Sequence, residues 1–229
     1  MQRVGQPYGM TFGYVADGLF QNQAEVDNYL SSYAKVSDYT PQPGDVKYLD
    51  LNGDHIVDGK DIKAIGTQKP LVEYGFFLGT SWKGFDINMQ WAGVANDDAV
   101  FVDSPFGVGS NNAYGRAFEK HLNRWTSSNP DPQSDYPRLS ATGNTYNTRT
   151  STFWLKEVGY LRLKNIEFSY TIPSKWTQKI KLSNVKLFTN AYNLLTICAL
   201  KDVDPELYSN YGDVAPNIKS FNAGVSVNF

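Results

Sequence analysis

The sequence has little of what marks several common protein classes. It has one cysteine, Cys198, which excludes an internal disulfide and any zinc or iron–sulfur site that needs several thiolates. Its 21 Lys and Arg do not outnumber its 23 Asp and Glu, so the positive excess of a nucleic-acid-binding protein is missing. No run approaches the roughly 18 apolar residues of a membrane-spanning helix. Residues 1–15 contain no signal peptide, so we expect a fragment if the chain works outside the cytoplasm.

The motifs of common enzyme classes are also missing. His55 and His121 are the two histidines, and the sequence contains no HExxH, GxSxG or GxxxxGK[ST] motif. Carboxylate pairs such as Asp202 and Asp204 lie in polar loops, where they are usually solvated turn residues. We therefore predict that the chain is not an enzyme and assign no catalytic residue.

What the sequence does contain is alternation of apolar and polar residues with a period of two, which predicts β-strands. Two such runs flank a turn near Trp82 to Gly84, which predicts a β-hairpin. In a third run the apolar phase slips near Lys164 and Asn165, which predicts a β-bulge. Two more alternating runs follow, at residues 185–191 and 221–229. The predicted fold class is therefore all-β.

The segments between these runs are less regular. Residues 23–36 contain apolar side chains at near-helical spacing, which predicts one helix, and the rest of residues 1–45 is predicted to be loop. Residues 94–152 are rich in Asn, Asp, Ser, Gly and Pro, which predicts a long, mobile, functional loop. Four aromatic residues in this loop or just after it could stack on sugar rings, or else belong to a membrane girdle or pack the loop, and we assign none of them to substrate; they are Trp125, Tyr136, Tyr146 and Trp154.

The polar side of the predicted strands carries Asn, Asp, Gln, Ser and Gly instead of the Lys and Glu usual on a solvated sheet. Such a side suits a wet interior, and aromatic residues near the strand ends suit a membrane interface. A soluble β-sandwich has the same period-two pattern, so periodicity alone leaves both possibilities open.

Residues 50–61, DLNGDHIVDGKD, have the spacing of a calcium-binding loop. Oxygen-bearing side chains stand at positions 1, 3, 5, 9 and 12 of the twelve, and position 7 would supply a backbone carbonyl. The predicted ligands are Asp50, Asn52, Asp54, Ile56, Asp58 and Asp61. Two departures weaken the match, because His55 replaces the usual Gly at position 6 and an Asp replaces the bidentate Glu at position 12. His tolerates the left-handed backbone that this turn needs, so we predict one structural calcium ion of modest affinity; the alternative is a polar loop without an ion.

Several segments together resemble one family. They are YGMTFGYVADGLFQNQAEV, PGDVKYLDLNGDHIVDGKD, IGTQKPLVEYGFFLGTSWKGFDINMQWAG, RWTSSNPDPQSDYPRL, YLRLKNIEFSYTIP and the final VSVNF, which ends on Phe229. Their order and spacing resemble the C-terminal portion of SusC/RagA-type TonB-dependent transporters of the outer membrane.

This resemblance implies a 22-stranded transmembrane β-barrel with long extracellular loops, of which this chain would supply the last strands. Residues 1–70 would be an extracellular loop region containing the calcium-type loop at 50–61, and residues 71–229 would be C-terminal barrel strands with a long loop at about 94–152. The strand ending at Phe229 would pair with an N-terminal barrel strand outside this chain, since so few strands cannot close a barrel.

The function implied is import of oligosaccharides or peptides across the outer membrane of a Gram-negative bacterium. The implied partners are a SusD-like lipoprotein lid, the remaining N-terminal barrel and plug, TonB through that missing part, and outer-membrane lipid; nucleic acid is not among them. The alternative is a soluble, calcium-stabilised β-sandwich that binds carbohydrate. The two differ in what covers the apolar strand face, which is lipid in the first and a second sheet in the other.

Overall fold

The computed structural model describes residues 4–32, 35–36, 39–101, 119–140, 144–200, 203–206, 215 and 217–229. The strands are β1 (Met10–Gly13), β2 (Ala16–Leu19), β3 (Lys35–Val36), β4 (Val46–Tyr48), β5 (Ile56–Val57), β6 (Lys63–Thr67), β7 (Val72–Trp82), β8 (Phe85–Ala95), β9 (Asp98–Val100), β10 (Leu155–Glu157), β11 (Tyr160–Thr171), β12 (Asn184–Cys198) and β13 (Ser220–Asn228). The helices are α1 (Gln23–Ser32), α2 (Ser174–Thr177) and 3₁₀ turns at Gly59–Asp61, Glu119–Leu122 and Gln178–Ile180. The predicted all-β class is confirmed.

Helix α1 confirms the predicted helix over Gln23–Ser32, whereas Lys35–Val36, at the end of the predicted segment, form strand β3. The Asn22 side chain caps it by accepting the Glu25 amide at 2.9 Å, and the Glu25 carboxylate accepts the Gln21 amide at 2.9 Å. Its buried residues are Val26 and Tyr29, three positions apart on one side of the helix. Among the described residues, no helix is both long enough and apolar enough to cross a lipid bilayer.

The chain forms two compact units. The loop unit takes its described residues from Met1–Lys69 and Asp98–Glu157. The sheet unit takes its described residues from Pro70–Asp97, Val158–Leu207 and Ala215–Phe229.

The loop unit is built around buried aromatic residues. Its core contains Phe20, Tyr48 and Tyr146, each at most 1% exposed, and the Tyr48 hydroxyl donates to the Tyr146 carbonyl at 3.0 Å. The described residues of this unit also form four short strand pairs: β1 with β6, β2 with β4, β3 with β5 and β9 with β10. The prediction that the rest of residues 1–45 is loop is therefore wrong at β1 and β2, whose partners lie far along the chain.

A buried carboxylate joins distant parts of the loop unit. Asp45 is fully buried and accepts hydrogen bonds from the Arg138 guanidinium at 2.6 Å and the Asn147 amide at 2.9 Å. The Tyr39 hydroxyl and the Asn144 amide also donate to it. A buried charge requires such partners, and here they hold Arg138 and residues 144–147 against the segment that precedes β4. The described parts of the predicted long loop are therefore packed around a core.

The sheet unit contains one antiparallel sheet of five long strands in the order β13-β12-β11-β8-β7. The predicted hairpin is confirmed: β7 and β8 are joined by Lys83 and Gly84, whose φ angles of 49° and 88° are typical of a two-residue type I′ turn. The predicted bulge is also confirmed, since the register of β11 against both neighbours shifts between Leu163 and Asn165. In the part of the chain that the structure describes, β7 and β13 are edge strands and the sheet is open.

Candidate functional site

The five-stranded sheet has one almost entirely apolar face. Residues paired across antiparallel strands point to the same side, so the register assigns each side chain to a face. This apolar face carries Tyr74, Phe76, Leu78 and Trp82 on β7; Phe85, Ile87, Met89 and Trp91 on β8; Leu161, Leu163, Ile166, Phe168 and Tyr170 on β11; Val185, Leu187, Thr189 and Ala191 on β12; and Phe221, Ala223, Val225 and Val227 on β13.

Much of the apolar face is open to the surroundings. Phe168 is 42% exposed, Leu187 42% and Val225 60%, so no described part of the chain covers them. Burying a large apolar side chain is worth about 1.5 to 3 kcal/mol, which makes an uncovered five-stranded apolar face unfavourable in water. This face therefore requires an apolar environment.

Aromatic side chains lie at two levels of the apolar face on β7, β8 and β11. At one level Phe85 stacks on Tyr170 with ring centroids 4.4 Å apart, and at the other Phe76 stacks on Trp91 at 5.9 Å. Tyr74 and Trp82 lie eight residues apart on β7, which is about 26 Å along the strand at a rise of about 3.3 Å per residue. A strand tilt of about 40° reduces this to about 20 Å, close to the apolar band of about 25 Å that aromatic girdles flank in membrane barrels.

The opposite, polar face is lined mainly by uncharged polar side chains and a few charges, with Phe77 and Phe188 also on this side. It carries Asp86, Asn88 and Gln90 on β8; Arg162, Asn165, Glu167 and Ser169 on β11; Asn184, Lys186 and Asn190 on β12; and Asn222, Ser226 and Asn228 on β13. Such a composition suits contact with water, as the sequence predicted.

One end of the polar face carries a dense charged group, the Arg162 cluster: Tyr160, Arg162, Lys164, Asp204, Glu206 and Asn217. The Arg162 side chain is 3% exposed and binds Asp204 at 2.6 Å and Glu206 at 2.9 Å. Lys164 and the Tyr160 hydroxyl also bind Glu206. The cluster therefore ties the described part of the β12–β13 connection to strand β11.

Arg162 and Lys164 lie two residues apart on β11, so they share a face, and Lys164 reaches Glu206 alongside Arg162. The β-bulge that follows brings the next residue, Asn165, to the same polar face. The two positive charges of Arg162 and Lys164 balance the two negative charges of Asp204 and Glu206. The cluster was not predicted, because nothing in the sequence pairs Arg162 with carboxylates 42 and 44 residues away.

The charges in this cluster shift the pKa values of its carboxyl groups. Desolvation alone would raise the pKa of Asp204, but hydrogen bonds from Arg162 and from the Glu206 and Asn217 amides lower it below its ordinary value. Desolvation likewise opposes the shift at Glu206, whose pKa is lowered by hydrogen bonds from Lys164 and Tyr160 and by the Arg162 charge. Both carboxylates are therefore held in the ionised form that the cations require.

The predicted calcium loop is a compact turn closed by its own carboxylates. Asp50 accepts the amides of Asn52, Gly53 and His55 at 2.7 to 3.1 Å. Desolvation opposes these bonds, but they hold the pKa of Asp50 below its ordinary value. His55 has a φ of 63°, so it adopts the left-handed backbone that the sequence required of it.

The second half of this loop is held by Asp61, which is fully buried. Its carboxylate accepts the amides of Leu51 at 2.8 Å and Asp58 at 2.8 Å. Ile56, the predicted carbonyl ligand, belongs to β5, and the Asn52 side chain accepts the Asp54 amide at 2.7 Å.

A lysine lies among the predicted ligands. Lys60 binds Asp54 at 3.0 Å and lies 3.9 Å from Asp58. Within the described ranges, no three His, Cys, Asp or Glu side chains converge as a group that could hold a metal ion. The structure thus brings the predicted residues together in one turn. Their carboxylate oxygen atoms accept hydrogen bonds from backbone amides and pair with Lys60.

The aromatic residues considered as sugar platforms have a packing role instead. Trp125, Tyr136, Tyr146 and Trp154 are each less than 9% exposed, so their ring faces cannot receive a sugar. The Trp154 indole donates to the Asn147 carbonyl at 2.7 Å. The interpretation that they pack the loop is the one the structure supports.

Comparisons with known proteins place these features in a family context. No family model matches the chain. Over 99% of its length it is 27% identical to "TonB-dependent receptor P3" and 25% identical to "TonB-dependent receptor P26", both of Formosa agariphila. The fold matches chains of the RagAB peptide importer, in the open-open state with a TM-score of 0.67 and 23% identity, and in the closed-closed state with 0.66 and 22%; each match covers 96% of this chain.

The chain resembles part of a SusC/RagA-type TonB-dependent transporter. The resemblance inferred from the sequence, to the C-terminal portion of such a transporter, is confirmed. The chain spans 23% of the length of the curated relatives that it matches and 22% to 23% of the matched importer chains. The names of these relatives describe receptors and importers, which agrees with the prediction of a protein that is not an enzyme.

Proposed function

We propose that this chain is a portion of a TonB-dependent outer-membrane importer of oligosaccharides or peptides. The observation that carries the proposal is the exposed apolar face of the five-stranded sheet, with two aromatic levels and a polar face behind it. In this assignment the apolar face contacts lipid, the polar face lines the lumen, and the other barrel strands pair with the edges β7 and β13. The resemblance to TonB-dependent receptors supports the same assignment.

The orientation follows from the lengths of the connections. The β7–β8 and β11–β12 turns lie at one end of the sheet, and the connections from β8 to β11 and from β12 to β13 lie at the other. Outer-membrane barrels have short periplasmic turns and long extracellular loops, so the β8–β11 and β12–β13 connections, the latter with the Arg162 cluster, belong to the extracellular end. There they would meet a SusD-like lipoprotein lid, while TonB would act through the missing plug-containing part.

The alternative function, a soluble calcium-stabilised β-sandwich that binds carbohydrate, is not favoured. It needs a second sheet over the apolar face, and in the described part of the chain side chains such as Phe168 and Val225 stay exposed. Its candidate sugar-stacking residues are buried.

The test of the importer function uses the full-length protein in its native cell envelope. We expect it in the outer-membrane fraction, and we expect its deletion to abolish growth on one nutrient class, peptides or oligosaccharides, to the same extent as depletion of TonB. Recovery of the full-length protein as a soluble monomer would overturn the proposal, as would uptake that continues without TonB.

We also propose that the loop at residues 50–61 binds one calcium ion with a structural role, orienting extracellular segments near the lid. Its support is the set of hard oxygen donors at calcium-loop spacing, closed by left-handed Gly53 and His55. The ion would compete with the Lys60 ammonium for the Asp54 carboxylate. We therefore expect an affinity in the range of about 10⁻⁴ to 10⁻³ M typical of extracellular modules.

Calcium at ten times its dissociation constant should stabilise the loop by about 1.4 kcal/mol and slow its proteolysis about tenfold. The double variant Asp50→Ala and Asp54→Ala should lose this protection and dock the lid more weakly, while the barrel still assembles. Lys60→Met should bind calcium more tightly than the unmodified protein, because it removes the competing cation.

Limited proteolysis with calcium or with a chelator measures this effect. The matched control replaces two exposed acids outside the loop, Asp27→Ala and Asp135→Ala, and should keep the calcium protection. Equal cleavage of the unmodified loop with calcium and with chelator would refute the calcium assignment.

A further inference from the structure

The end of the sheet with the short turns carries a concentration of positive charge. Lys83 lies in the β7–β8 turn, and Lys175, Lys179 and Lys181 lie in the β11–β12 turn; all four are exposed. Residues 81–85 and 172–183 contain no aspartate or glutamate. This lysine rim, defined by these four residues, stands out in a chain whose overall charge is −2.

Large apolar side chains project beside these lysines. Trp176 is 63% exposed and Ile180 is 66% exposed, and their spacing of four residues in a helical segment places them on the same side. In the neighbouring turn Trp82 is 66% exposed, and the Lys83 ammonium lies 4.8 Å from the centre of its ring. The rim therefore combines cations with side chains that favour an apolar phase.

The local backbone holds the two turns next to one another. The Thr171 amide donates to the Gly84 carbonyl at 2.7 Å, which joins the end of β11 to the β7–β8 turn. Thr177 is 2% exposed, so the short helical segment is docked through Thr177, and its outward residues cannot turn into the protein. Phe85 and Tyr170, which stack on the apolar face, lie directly next to these turns.

We propose that the lysine rim binds the phosphate groups of anionic phospholipids at the membrane surface nearest the short turns. The proposal rests on the proposed function, since it takes the apolar face to be in lipid. Charge complementarity selects an anionic headgroup, and the exposed Trp176 and Ile180 select a partner with an adjacent apolar phase. A phosphorylated peptide or nucleic acid would leave these apolar side chains in water.

The test measures which lipids the full-length protein retains. The protein is reconstituted into vesicles of equal parts phosphatidylglycerol and phosphatidylcholine, extracted gently, and its bound lipids are counted by native mass spectrometry. We expect phosphatidylglycerol to be enriched at least about fivefold over phosphatidylcholine. A quadruple change of Lys83, Lys175, Lys179 and Lys181 to Gln should abolish the enrichment, and the same four changes to Arg should preserve it.

The matched control changes four exposed lysines away from the short turns to Gln: Lys63, Lys69, Lys156 and Lys219. It should retain the enrichment. Equal loss in both Gln variants, or full enrichment in the rim variant, would overturn the proposal, and so would displacement of the lipid by excess inorganic phosphate. Flotation with pure phosphatidylcholine vesicles distinguishes failure of the membrane assignment from failure of the lysine-rim proposal. A protein that does not float refutes the membrane assignment. A protein that floats but shows no phosphatidylglycerol enrichment in the mass spectra refutes only the lysine rim.

Discussion

Replacing Val225 with arginine is expected to destabilise the assembled protein by about 2 to 4 kcal/mol, the cost of a positive charge on the lipid side of a barrel near the bilayer midplane. Val225 lies near the centre of β13, whose nine residues match one membrane crossing. It pairs with Leu187 on the apolar face and is 60% exposed, so an arginine there would project into hydrocarbon.

The neighbouring substitution Ser226→Arg is the matched control. Ser226 lies on the polar face opposite Lys186, so the new charge would meet water and one like charge, at a cost of about 1 kcal/mol or less. The yield of heat-modifiable, assembled protein in the outer membrane measures both variants. Equal yields would contradict the membrane assignment, and loss of both would show that β13 tolerates no change of size.

The features that sequence reasoning predicted are those governed by neighbouring residues. The apolar phase slip at Lys164, the Lys83-Gly84 turn and the helix at Gln23–Ser32 each depend on patterns within about ten residues. The two faces of the sheet follow from the same alternation. The resemblance to TonB-dependent transporters rested on longer segments, and the related receptors confirm it.

The features that sequence reasoning missed depend on residues far apart in the chain. Strand β2 is defined by its pairing with β4, about thirty residues on, and Ala16 and Leu19 alone give no strand periodicity. The carboxylate of Asp45 is satisfied by Arg138, 93 residues away, so its full burial could not be anticipated. Most isolated charged residues in polar segments are exposed to solvent, so the sequence alone predicts exposure for Asp45. In the structure its long-range contacts bury it.

Replacing Arg162 with methionine should release the described part of the β12–β13 connection from the polar face. The change leaves Asp204, at 7% exposure, without its cation and leaves Glu206, at 16%, with Lys164 alone. Removing one partner of a buried ion pair costs about 3 to 5 kcal/mol, because the remaining charge stays desolvated. Protease cleavage and hydrogen exchange at residues 203–206 should rise strongly in the variant, and import should fall if this connection shapes the lumen.

The matched control is Lys186→Met, which breaks a pair on the same face. Lys186 lies 3.4 Å from Glu167, but both side chains are about one third exposed, so its loss should cost less than about 1 kcal/mol. If both variants expose the β12–β13 connection equally, the Arg162 cluster does not hold it.

The same cluster predicts a dependence on pH. The pKa values of Asp204 and Glu206 are lowered in the folded protein, so their contribution is complete above the ordinary values of 3.8 and 4.5 and disappears as the pH falls through the lowered ones. In the unmodified protein, residues 203–206 should stay protected from hydrogen exchange at neutral and mildly acidic pH and lose protection only below those ordinary values, as the pH falls through the lowered ones. The Arg162→Met variant should show a smaller step, because Asp204 loses its cation while Glu206 keeps Lys164, and a step of unchanged size would assign the titration to other groups.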